Sequence, residues 1–247
     1  MAEQAFDESS APSELAGSPV PQRQVQIPRT RLRTTLLILD AILIAISFGF
    51  AGIKITTGHD VVYSTFRLFD LNHEANIPSW YSANLLLFGA IAAGLVSTAT
   101  RGSHRRGWQG IALVMAFFSL DEIAGLHERF VLPENFVGPF GPVRNITWVF
   151  VGVVVTGALV TLFLRTVLTC PPPIRRAVLV AGAIYAGGAL GFETLGGLWA
   201  LGHGEANWMH AILEHMEEGM ELIGATLFLD ACLQYLEIQG GASVRAG

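Results

Sequence analysis

His210–Glu221, HAILEHMEEGME, decides how the rest of the chain is read. It lies inside Trp208–Leu236, a run otherwise apolar enough to cross a bilayer as a helix. At about 100° per residue, His210, Glu214, Glu217, Glu218 and Glu221 fall within an arc of roughly 100°, with His215 just outside it. One helical face therefore collects carboxylates and an imidazole, while the remainder is Ala, Ile, Leu, Met and Gly. Ionisable groups at membrane depth are costly and face a bundle interior or a wet cavity. The pattern predicts a site, and around it an all-α bundle of membrane helices.

Composition agrees. Soluble chains carry about 25% charged residues. Here 14% of 247 residues are charged and 51% are hydrophobic, with a mean hydropathy of +0.49. A formal net charge of −5 excludes the basic footprint of a nucleic-acid binder. Residues 1–30 hold Pro, Ser, Glu and Gln without an apolar core, which predicts a disordered cytoplasmic tail instead of a cleaved signal. Residues 239–247 are expected to form a second disordered tail, leaving 31–238 as the membrane domain.

Six spans fit: Arg33–Ile53, Ser82–Thr100, Gly107–Glu128, Ile146–Leu168, Arg176–Leu201 and Trp208–Leu236. Each approaches the ~20 residues needed to cross the hydrocarbon core. Basic residues set the orientation. Arg23, Arg29, Arg31, Arg33, Arg101, Arg105, Arg106, Arg165, Arg175, Arg176 and Arg245 fall on one side, against Lys54, Arg67, Arg129 and Arg144 on the other. Both termini are expected in the cytoplasm. Cys170 and Cys232 then lie on the reducing side as free thiols.

This orientation places chemistry from three spans at one depth. The third span carries Asp121, Glu122, His127 and Glu128 near its outer end, and the fifth carries Glu193 in its outer half. Asp121 and Glu128, seven residues apart, share a face of a straight helix, with Glu122 and His127 to either side. His127 and Glu128 also fit as ordinary residues at a helix end beside Arg129. Such a set repels itself unless protons or a cation compensate it. Mixed carboxylate and imidazole donors suit iron, zinc or manganese. The candidate metal ligands are His210, Glu214, Glu217, Glu221, Asp121, Glu128, Glu193 and His127, with Glu218 and Glu122 as candidate catalytic bases. Helical di-metal carboxylate sites use Glu-x-x-His; His215-x-x-Glu218 is the reverse, so the analogy is loose. A bis-histidine haem on His127 and His210 is disfavoured by the acids around them.

Other motifs read more plainly. Asp40 shares a face with Arg33 and is expected to pair with it. Ala183, Gly187 and Gly191 form a small-residue ladder for close helix approach. Trp80 and Tyr81 fit interfacial anchors. Asp70-x-Asn72-x-Glu74 lacks the glycine and terminal glutamate of an EF-hand, and Asn145-Ile-Thr147 is a formal glycosylation sequon. Two readings from different classes follow, with a non-catalytic subunit or metal or pH sensor as a third. One is a membrane metalloenzyme acting on a lipid or other hydrophobic molecule. The other is a cation or proton-coupled transporter. On a straight helix Asp230 points away from Glu221, which favours a site closed at the bottom over a continuous path.

FDLNHEANIPSWYSA (69–83), FSLDEIAGLHER (118–129), GFETLGG (191–197) and the Glu217-Glu218-x-x-Glu221 motif resemble segments of a group of bacterial multipass membrane proteins without an assigned activity. The resemblance implies a multipass protein of the bacterial inner membrane and leaves the activity open.

Overall fold

The computed structural model describes residues 28–59, 65–129 and 147–245. Most of the expected N-terminal tail, Arg144, Asn145 and the side chain of Glu128 lie outside that description. All regular structure among the described residues is helical.

Helix α1 (Arg29–Thr57) is followed by the short α2 (Thr65–Phe69). Helix α3 (Ile77–Ala99) starts from a capping box. The Asn76 side chain accepts from the Ser79 backbone N–H at 3.0 Å, the Ser79 hydroxyl accepts from the Asn76 N–H at 3.0 Å, and a proline opens the helix. Helix α4 (Gly102–Ala124) stops at Gly125, whose φ of 55° is left-handed. A short 3-10 turn, His127–Arg129, follows. Then come α5 (Thr147–Leu168) and α6 (Pro172–Ala186). A π-helical turn (Gly187–Phe192) joins α6 to α7 (Glu193–His203), and α8 (Trp208–Arg245) ends the series. The last helix thus runs past Leu236 and through most of the stretch expected as a C-terminal tail.

Among the described residues, four helices are long and apolar enough to cross a membrane: Arg29–Thr57, Ile77–Ala99, Trp148–Leu168 and the composite Pro172–His203. Helices α4 and α8, the other two expected spans, carry the acids. The outer surfaces of two of the four are correspondingly apolar, with Ile38 and Ile42 exposed on α1 and Val154 and Leu162 exposed on α5.

Helix α8 is the hub, packing on α1, α3, α6, the π turn and α7, while α3 and α4 form a tight pair and α5 rests on α4, α6 and the π turn. At the end of the bundle where α4 and α6 begin, Val96, Trp108, Ile174 and Cys232 are fully buried, and Leu86 is buried midway along α3. Both cysteines are free and buried there. Burial pushes the Cys170 thiol, between α5 and α6, up to about 11.

The α1–α8 contact is a row of polar rungs, and it corrects two expectations. Asp40 does not pair with Arg33. Its carboxylate, 1% exposed, accepts from Tyr81 at 2.8 Å and Thr226 at 3.0 Å. Arg33 instead reaches Asp230 at 3.4 Å, beside Arg29 at 2.7 Å. Tyr81 is therefore a bundle residue and no interfacial anchor, whereas Trp80 is 63% exposed. His215 does not join the acids: its Nε2 meets the Ser47 hydroxyl at 2.9 Å, and its ring packs edge-on against Phe48. Seven-residue spacing puts Arg33, Asp40 and Ser47 on one stripe of α1. Each finds its partner on the facing helix because α1 and α8 run antiparallel.

Candidate functional site

The opposite face of α8 borders a cavity of about 1300 Å³ enclosed by α4, α5, α6, α7 and α8, with residues 71–74 at its mouth. Asp121, Glu122, His127, Glu193, His210, Glu214, Glu217, Glu218 and Glu221 all line it. No Lys or Arg is among the described residues that line it. Glu128 has no described side chain and is not placed.

Each acid arrives by a local device. The helix expected to continue to Glu128 stops at Gly125, so Asp121 and Glu128 do not share a helical face. The left-handed turn folds the chain back instead. Asp121 accepts from the His127 backbone N–H at 2.9 Å, and its second oxygen meets His127 Nδ1 at 2.9 Å. A side chain at position 125 would push aside the Glu74 carboxylate, and the left-handed φ of 55° favours glycine there in any case. Glu122, one residue on, hydrogen-bonds Ser82 and has His127, Glu74, Asp121 and Glu221 as ionisable neighbours.

Glu193 is aimed by the π turn. Its backbone N–H reaches back five residues to the Gly188 carbonyl. A Cβ on Gly188 would stand 2.6 Å from the Glu217 carbonyl oxygen, so only glycine lets this turn lie against α8. Gly191, expected in the same ladder, has nothing within 4 Å and plays no such part. Glu193 accepts from Trp148 Nε1 at 3.1 Å and lies beside Glu217.

The helix face supplies the remainder. Glu218 has Glu221, Glu122, Glu193 and Glu214 as its charged neighbours, and Glu221 faces the Tyr185 hydroxyl. Nearer the mouth, His210 Nδ1 stands 3.1 Å from Glu214, which also accepts from Asn72 at 2.7 Å. The site is thus an inner cluster of carboxylates with two carboxylate–imidazole pairs above it. The expectation of a metal centre meets one finding: among the described residues, no group of three or more His, Cys, Asp or Glu side chains is placed to hold a metal ion. The acids spread along the cavity wall and do not ring one point.

Residues 35–236 match the model of a domain of unknown function, DUF8692. The chain belongs to this family. No curated protein and no solved structure matches it. The DUF8692 match covers every acid of the cluster and the Asp40 and Ser47 rungs of the α1–α8 contact, while Arg29 and Arg33 lie just before it.

Sequence reasoning missed Asn72, Glu74, Trp148 and Tyr185, all of which line the cavity. The first two sit in the motif dismissed as a broken EF-hand. The two aromatics carry no charge signal, though Tyr185 lies on the same small-residue helix as Gly182 and packs parallel to Phe118 at 6.0 Å.

Proposed function

We infer that this DUF8692 protein is an integral membrane protein that binds a positively charged hydrophobic molecule in its cavity. Uptake of the cation is coupled to release of protons from the carboxylates. A cluster of acids at membrane depth without a basic partner needs positive charge from protons or from a bound cation. The single observation behind this reading is the pairing of that cluster with an apolar cavity whose lining, among the described residues, includes no Lys or Arg. Exchange of protons for a cation then gives proton-coupled transport. In this reading α4 and α8 also span the bilayer, giving six spans with both termini cytoplasmic in a bacterial inner membrane. The acids occupy the outer half.

A second reading is a divalent iron, zinc or manganese centre acting on the same hydrophobic molecule, with Glu218 or Glu122 as base. The two carboxylate–imidazole pairs, Asp121–His127 and His210–Glu214, favour it. It requires the acids to regroup around the ion.

One experiment separates them. Purified protein in weakly buffered detergent is titrated with tetraphenylphosphonium while pH is followed, and the same sample is analysed for metals. Saturable binding with proton release, lost in Glu217→Gln/Glu218→Gln, is expected. No binding, together with stoichiometric metal lost in that variant, overturns the first reading for the second.

A further inference from the structure

The cavity is far longer than its acidic part. Past Glu221 the lining continues on α8 to Phe228, on α4 from Glu122 to Ile111, and on α6 from Tyr185 to Val178. At 1.5 Å per residue these runs extend about 10 to 16 Å beyond the acids. Leu159 and Phe163 of α5 form the facing wall, and among the described residues no Asp, Glu, His, Lys or Arg lines this arm beyond Glu122 and Glu221. Protein interiors leave few voids larger than a water molecule, and ordinary ligand sites span about 300–1,000 Å³. A hollow of about 1300 Å³ is therefore no packing remnant. It is open at its wall as well: a Cβ added to Gly182, which lines the arm, meets nothing within 4 Å.

We propose that the arm holds one long hydrocarbon chain, so that the occupant is a single-chain amphiphile with its cationic head among Glu193, Glu217, Glu218 and Glu221. This rests on the cation-binding reading above. A compact cation would fill the acidic end and leave the arm empty. A hydrocarbon chain leaving lipid for an apolar slot gains little by itself, since both surroundings are apolar. The charged head supplies the attraction, and the slot sets which chains fit.

The test uses the full chain in phosphatidylcholine nanodiscs, with empty nanodiscs measured alongside to remove partitioning. Alkyltrimethylammonium ions with butyl, octyl, dodecyl and hexadecyl chains compete against tetraphenylphosphonium. Affinity referred to the free aqueous amphiphile, whose concentration the empty nanodiscs give, is expected to rise by about tenfold or more from butyl to dodecyl as the fitting chain leaves water for the slot. Gly182→Leu projects a side chain into the arm while improving the helix propensity of α6. It should abolish the preference for long chains and leave tetraphenylphosphonium binding unchanged. Val155→Phe, from the opposite wall, serves as a second obstruction should the first disturb folding. Tetraphenylphosphonium binding with no chain preference, or a preference untouched by both variants, overturns the chain slot alone. Failure of every cation to bind overturns the cation-binding reading and the slot with it.

Discussion

Two faces of α8 treat polar side chains in opposite ways. Toward α1, His215, Thr226 and Asp230 each meet a named partner: Ser47, Asp40 and the Arg29–Arg33 pair. Toward the cavity, Glu217, Glu218 and Glu221 are surrounded chiefly by other acids. The first face fixes which way α8 lies and how far along it sits. A polar rung inside an apolar bundle penalises any sliding or rotation that would separate its members. The second face adds nothing to that alignment and works against it by repulsion. Polar residues that build the fold are matched within it. Those left facing their own kind await a partner from outside.

Mutations should separate the faces, and the largest effect belongs to the matched one. Asp40→Ala strands the Tyr81 and Thr226 hydroxyls and is expected to cost about 3 kcal/mol. Thermal unfolding in detergent would read this as a marked drop in midpoint, with tetraphenylphosphonium affinity of the folded fraction unchanged. An unchanged midpoint would break the contrast. On the cavity face, Glu218→Gln should weaken cation binding by about tenfold, or about 1.4 kcal/mol. Its unfolding midpoint should hold or rise as repulsion is relieved. Loss of stability there would place Glu218 among the structural groups. Asp230→Asn removes the charge opposite Arg29 and Arg33 and should cost about 1 kcal/mol. High salt should narrow the gap to the parent protein, because the ion pair is screened. Ser47→Ala is the gentlest. Losing the bonds to His215 and to the Leu71 backbone N–H should cost about 0.6 kcal/mol, with backbone hydrogen exchange rising first at residues 70–74.

The acid stripe of α8 was legible because helical periodicity is a property of one segment, and this segment is one uninterrupted helix. Asp121 and Glu128 show where that logic ends. Their seven-residue spacing implies a shared face only if the helix continues, and Gly125 stops it; a glycine C-cap was available in the sequence as the signal. Asp40 and Arg33 fail for another reason. They do share a stripe, but whether a stripe pairs within itself or across depends on a helix almost two hundred residues away, at Thr226 and Asp230. Asn72 illustrates the same limit, since only tertiary contact brings it to Glu214.

The π turn at Gly187–Phe192 carries one more implication. A widened turn accommodates an extra residue within a helix, so the phase of everything after it is offset from everything before. Removing a single residue from this turn would let α6 and α7 merge into one regular helix, rotating the downstream half by about 100°. Glu193 would swing out of the cavity while the packing of α6 stayed in place. The turn is the phase-setting joint of the bundle, and one backbone irregularity decides whether Glu193 faces the site or turns away from it.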